Sequence, residues 1–236
     1  MNGRTLLLIA IGIAALGALV FLLPDLLTHR SGGWRIRGEA PLLIGTAADP
    51  FVYAGGDAVR TVEGEATLRF DPGQGEGTLR AEIRFPEGFD GAGLPFDAAP
   101  GGLLVVSAPL VSDEVQSSRA IGGDTGVGDN RLPQAEALVA GTAQFEVSID
   151  NRSSAGFFRG FWSVANALRR ADGSIGQQGL VFSPLLREKT GFSDSTREEL
   201  TLLLYSENPE EDAPPVLLHV VFGSVTIEQA PESPVP

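Results

Sequence analysis

Nineteen consecutive residues without a charge, Thr5 to Leu23, constrain this chain more than any other feature in it. Leu, Ile, Ala, Val, Phe and Gly make up nearly all of the run. As a helix it would span roughly 28 Å at 1.5 Å per residue, close to the hydrocarbon thickness of a bilayer. A secretory signal peptide has a shorter apolar region, about 7–15 residues, ending at a small-x-small cleavage site. Here the run ends in Phe21-Leu22-Leu23-Pro24-Asp25, and the chain has no cysteine to form a lipobox. The pattern predicts a short tail over residues 1–4 and an uncleaved transmembrane anchor with its interface over 5–28. Arg4 and the free amine favour a cytoplasmic tail, which sends everything after the anchor to the periplasmic or extracellular side. Arg30, Arg35 and Arg37 pull the other way under the positive-inside rule; the outward placement is taken here. Ala10, Ala14 and Ala18 recur every fourth residue and define a small-residue face on which a partner transmembrane helix can pack closely.

After a flexible joint over 29–33, containing Ser31-Gly32-Gly33, the periodicity changes from helix to strand. Val62, Gly64, Ala66, Leu68 and Phe70 alternate with Glu63, Glu65, Thr67 and Arg69, a half-buried strand of period two. The cluster Asp71-Pro72-Gly73-Gln74-Gly75-Glu76-Gly77 turns the chain, and Thr78 to Phe85 alternates again, which predicts a β-hairpin. Leu103–Val106, Ala143–Ile149, Leu200–Tyr205, Val216–Phe222 and Val225–Ile227 are further strands. Pro86–Gly102 and Ser112–Gln134 have the composition of loops, the second a long exposed excursion. Asn208 to Pro215 is too rich in proline and charge for regular structure. Gly156 to Arg170 reads as an amphipathic helix, with Phe157, Phe158, Phe161, Trp162, Val164, Ala165 and Leu168 on one face and Ser153 or Ser154 capping its start. The expected architecture is mainly β: an antiparallel sandwich or partly closed barrel with one amphipathic helix, behind a single transmembrane helix. One acidic, strand-rich domain fills residues 34–228, and 229–236 is a proline-rich tail expected to be disordered.

Composition removes several chemistries. A formal charge of -13 repels phosphate backbones, and no basic stripe interleaves with aromatics, so nucleic acid is not expected as a partner. Without cysteine there is no thiolate metal site and no thiol nucleophile. His29 lies beside the anchor, and His219 sits within the apolar run Val216–Phe222, where a structural role is the ordinary one. Two histidines are too few for a His-rich metal centre. Lys189, the sole lysine, stands between Glu188 and Thr190 as in a surface loop. Gly122 to Asn130 sets glycines beside carboxylates, and Asp124, Asp129 and Asn130 are the metal candidates for calcium, although the order of an EF-hand or β-roll loop is missing. Neither a Gly-x-Ser-x-Gly elbow nor a phosphate-binding loop occurs. Asn151-Arg152-Ser153 matches a glycosylation acceptor, a pattern short enough to arise by chance.

No cofactor and no catalytic residue is assigned on these grounds. Three functions are compatible with the sequence. The first is a membrane-anchored, non-catalytic accessory subunit that contacts a membrane protein partner, with the bilayer held by the N-terminal helix. The second is a β-domain that binds a lipid or other small apolar ligand. The third is an envelope carbohydrate hydrolase using paired carboxylates. The anchor reading has a direct outcome: the mature protein should retain residues 5–25 when its N-terminus is sequenced. A mature chain beginning after Asp25 would replace the anchor by a cleaved signal.

Overall fold

A computed structural model describes residues 33–45, 59–71, 74–88, 98–111, 115–122, 133–150, 152–177, 180–182, 191–205 and 216–229. The expected anchor over 5–28, the Asn208–Pro215 segment, the residues beyond Gln229 and the Gly/Asp stretch after Gly122 lie outside these residues. The strands are β1 (Trp34–Gly45), β2 (Arg60–Thr61), β3 (Glu63–Asp71), β4 (Glu76–Phe85), β5 (Gly102–Val111), β6 (Val115–Gly122), β7 (Gln134–Ile149), β8 (Arg152–Ala167), β9 (Gly176–Gln177), β10 (Leu180–Val181), β11 (Asp194–Tyr205) and β12 (Val216–Gln229). Eight of them, β1, β3, β4, β5, β7, β8, β11 and β12, pair antiparallel with their neighbours in this order. Pairing of β12 with β1 closes the ring into a barrel. Every connection joins adjacent strands, so the barrel is an up-and-down meander, and closure leaves these eight strands without a free edge along the ring.

Alternation supplies the inner face. Ile36, Leu68, Leu79, Ile83, Leu104 and Val106 point into one continuous core, joined by Phe145, Trp162, Leu202, Val220 and Phe222. An eight-stranded barrel has an interior just wide enough for side chains to fill. Here the largest of them, Trp162, Phe145 and Phe222, are fully buried. The aromatics fit because the wall gives way to them: a Cβ on Gly160 would stand 2.5 Å from the Leu203 carbonyl oxygen and 2.6 Å from the Phe145 ring.

The hairpin expected at residues 62–85 is β3–β4, paired from Glu63↔Arg84 to Asp71↔Glu76. Leu103–Val106 and Ala143–Ile149 lie within β5 and β7, and Leu200–Tyr205 within β11. The two apolar runs Val216–Phe222 and Val225–Ile227 belong to one strand. Leu218, Val220 and Phe222 line the core and so do Val225 and Ile227, so the inward parity flips between them. Strand β1 flips at the same level, from Ile36 inside to Leu43 inside. The hinge is Ala40, held at φ 53 beside Pro41 and level with Gly223. An alanine in the left-handed region is uncommon, and the paired kink turns both strands together without breaking their register.

Two expectations are corrected. No helix forms over Gly156–Arg170, because residues 152–167 are strand β8. Both faces of β8 are covered: Phe158, Trp162 and Val164 face the barrel core, while Phe161 and Ala165 face a second core outside it. A strand apolar on both sides loses its period-two contrast and can mimic a helical stripe. Ser112–Gln134 is not one exposed excursion either. Its residues Val115–Gly122 form β6, which prolongs β5 along β7 after the β5–β7 ladder ends at Ser107↔Glu146 and resumes at Val115↔Gly141. The sandwich alternative gives way to the closed barrel.

The second core holds Ile121, Ala137, Phe161, Leu168, Ile175, Phe182, Phe192 and Leu203. Much of its outer layer comes from the segment between β8 and β11, where Phe182 and Phe192 meet edge to face at 5.1 Å. Arg169 is buried in this cover; its backbone N–H donates to Glu199 Oε2 at 2.9 Å and its guanidinium to the Gly173 carbonyl at 2.7 Å. Strand β11 opens on an Asx turn: Thr196 donates N–H and Oγ1–H to Asp194 Oδ1, and Arg197 pairs with Oδ2 at 2.9 Å. These hydrogen bonds, led by the Thr196 hydroxyl, hold the Asp194 carboxyl down to about 2.

The close approach at Gly160 is testable. Gly160→Ala should destabilise by about 1–3 kcal/mol through overpacking against Phe145. Urea unfolding should show a lower midpoint with unchanged slope, and an unchanged midpoint would mean that the barrel interior is not filled as described.

Candidate functional site

With the interior occupied, the outer walls carry the surface chemistry. On the wall formed by β12, β1, β3 and β4 the antiparallel register sorts the outward side chains into rows. The first row reads Glu228, Arg35, Arg69, Thr78; the second Thr226, Arg37, Thr67, Arg80; the third Ser224, Glu39, Glu65, Glu82. Like charges therefore face each other directly, Arg35 against Arg69 and Glu39 against Glu65 against Glu82, an arrangement that costs stability unless opposite charges intervene.

In the second and third rows they do. Arg37 reaches Glu39 at 3.0 Å along its own strand and Glu65 across the ladder through Nε at 3.0 Å. The Glu65 hydrogen bond, with the charges of Glu39 and Glu65, raises the Arg37 pKa above its ordinary value. Arg80 donates through Nε and Nη2 to Glu82 Oε1 at 3.0 and 2.8 Å. Arg84 donates to the Gly101 carbonyl at 2.8 Å. Exposed pairs of this kind add little to stability, and their effect is to fix where the charges stand. Arg35 and Arg69 differ. Among the described residues they are the two arginines of this wall with neither a hydrogen bond nor an ion pair.

Two adjoining depressions meet at these side chains. The smaller, about 330 Å³, is lined by Arg35, Arg37, Thr67, Arg69, Thr226 and Glu228 among others. The larger, about 620 Å³, shares Thr67 and Arg69 and continues over Thr78, Arg80, Ser107 and Gln144. It lies at the place where β5 and β7 part. Guanidinium forks beside hydroxyls form a donor set suited to phosphate or carboxylate oxygens.

The sequence-derived candidates are distributed differently. Asp124, Asp129 and Asn130 lie outside the described residues, as do Ala10, Ala14, Ala18, His29 and Lys189. Among the described residues no group of three His, Cys, Asp or Glu side chains converges as a metal site. His219 is fully buried on the outer side of β12, level with Leu203 of β11. Phe158 and Trp162 enter the barrel core and Phe161 the second core, so they form no exposed aromatic stripe. Arg35 and Arg37 were legible as a basic stretch after the apolar N-terminal run. Arg69 and Arg80 were not, because only the strand register brings them alongside.

A second polar layer lies under the cover. Ser163 and Thr201, directly paired on β8 and β11, are buried at 1% and 0% exposure, and Ser163 Oγ and Thr201 Oγ1 have no hydrogen-bond partner. An unsatisfied buried hydroxyl costs about 1–3 kcal/mol, whereas an apolar group of the same shape does not. The double variant Ser163→Ala/Thr201→Val should therefore melt at the wild-type temperature or above it. A clear drop in Tm would show that these hydroxyls are bonded after all.

Compared with known proteins, the chain matches no family model, no curated protein and no solved structure.

Proposed function

We propose that the chain is a membrane-tethered barrel that works by contact through its outer walls, as a non-catalytic accessory subunit beside a larger membrane assembly. The observation that carries this reading is the side-chain-filled, closed barrel. Trp162, Phe145 and Phe222 occupy the interior where a ligand-binding barrel of this strand number keeps its cavity. Contact is then left to the outside, where register and ion pairs hold charge in ordered rows. The same wall speaks against the hydrolase reading. Glu65 and Glu82 face each other, but each spends its carboxylate on an arginine, whereas a glycosidase pair needs one carboxyl free to deliver a proton.

Tethering supplies the second contact. A face of Ala10, Ala14 and Ala18 packs through van der Waals approach inside the bilayer and ignores salt. The barrel's charged contacts act through water and are screened over a Debye length of about 8–10 Å. Gentle, low-salt detergent extraction of the full-length chain should bring down a defined partner. High salt should loosen the barrel contact, and Ala10→Leu/Ala14→Leu/Ala18→Leu should weaken what salt leaves. A chain that purifies alone, indifferent to both perturbations, would remove the accessory-subunit reading.

A further inference from the structure

Resting on the tethered reading above, we propose that the end of the barrel around Trp34, Arg35 and Arg69 binds anionic lipid headgroups of the bilayer that holds the anchor, through their phosphate oxygens. Three observations converge on that end. Arg35 and Arg69 stand directly opposed on β1 and β3 and their guanidinium groups have no partner, while the acidic side chains two rows away are consumed by Arg37 and Arg80. A like-charge pair to which no carboxylate is bonded is a place where an external anion relieves repulsion. Hydroxyl donors surround the pair, with Thr67 and Thr226 in the smaller depression and Thr78 in the larger. Finally, Trp34 begins β1 half-buried at the barrel mouth, its ring 6.2 Å from that of Phe70. Tryptophan beside arginine is the pairing that settles at a membrane–water boundary. The chain before Trp34 leads directly back to the apolar run ending at Leu23.

The total charge of -13 does not decide this contact. Glu39, at the start of the acidic row, is four residues along the strand from Arg35, roughly 14 Å at about 3.4 Å per residue. That exceeds the Debye length of about 8 Å at physiological salt, so the arginine row is felt locally. Glu228, opposite Arg35, together with Asp71 and Glu76 at the hairpin end, moderates the attraction at the same level. The phosphate group is therefore drawn between Arg35 and Arg69, away from these carboxylates.

The two tryptophans give a direct readout, because Trp162 is fully buried and a headgroup-bound quencher reaches only Trp34. Full-length protein is reconstituted into phosphatidylcholine vesicles, with or without phosphatidylglycerol, that carry a trace of headgroup spin-labelled lipid. Quenching of Trp34 should be stronger in the anionic vesicles. Arg35→Gln and Arg69→Gln should each lower the lipid-facing population about fivefold, and Arg35→Lys/Arg69→Lys should keep most of it. Glu228→Gln should increase it. Equal quenching in neutral and anionic vesicles, unchanged in the glutamine variants, overturns the proposal while leaving the tether intact. Competition by millimolar inorganic phosphate at fixed ionic strength, with a Trp34 response in detergent and no dependence on lipid charge, also overturns it by assigning the pair to a free anion. Failure of the full chain to float with vesicles and resist alkaline carbonate removes the tethered reading itself, a result separable from the other two.

Discussion

The structure depends on one ladder, the pairing of β1 with β12. Every other strand pair joins neighbours in sequence, but this one joins the two ends of the domain and turns an open sheet into a ring. Its register runs from Trp34↔Gln229 to Leu43↔Val220. Without it, β1 and β12 would each present a row of unpaired backbone donors and acceptors, and the core from Ile36 to Phe222 would open on one side. The kink at Ala40 and Gly223 lies inside this ladder. Because both strands turn at the same level, their hydrogen bonds survive the change of face. Leu42 and Ile44 are thereby delivered to a small outer cluster with Val221, while Leu43 stays inside.

How much of this was readable depended on whether one face of each strand met water. The β3–β4 hairpin was legible because Glu63, Arg69 and Arg80 on one face contrast with Ala66, Leu68 and Leu79 on the other. Strand β8 was not, because Phe158 and Phe161 are buried on opposite sides and the contrast that marks a strand vanished. Strand β12 was cut in two by its change of parity, and β6, with its sequence Val-Gln-Ser-Ser-Arg-Ala-Ile-Gly, carries too little apolar alternation to announce itself. The arginine wall was half visible. Arg35 and Arg37 are close in sequence, but the opposition of Arg35 and Arg69 is a property of register, which depends on the pairing of distant segments.

The outer surface divides into two kinds of wall. Over β12, β1, β3 and β4 the outward side chains at one end of the barrel stay in water, and charge is ordered by rows. Around Ala137, Phe161, Ala165 and Leu203 the outward side chains of β7, β8 and β11 are sealed in the second core and Ser163 and Thr201 are buried at the same level, whereas Gln144, Glu146 and Arg159 farther along stay exposed. One barrel thus has a wet side available for contact and a dry side committed to structure. On the tethered reading proposed above, that asymmetry would set which side of the barrel meets a partner, even though its ring of strands is nearly uniform.

The dry side has a consequence for how the chain reaches its fold. The second core draws on β7, β8, β11 and the cover between them, so its contacts join segments close together in sequence. The ring-closing ladder joins segments separated by almost the whole domain. Loop-closure entropy grows slowly, about 0.6 kcal/mol for each doubling of length, so the equilibrium penalty for that distance is modest. The kinetic penalty is larger, since distant contacts are rewarded only after the intervening chain has been ordered. During synthesis β1 emerges first and must wait for β12, its edge open until the last strand arrives. A local, doubly covered wall gives the incomplete sheet something to fold against during that wait.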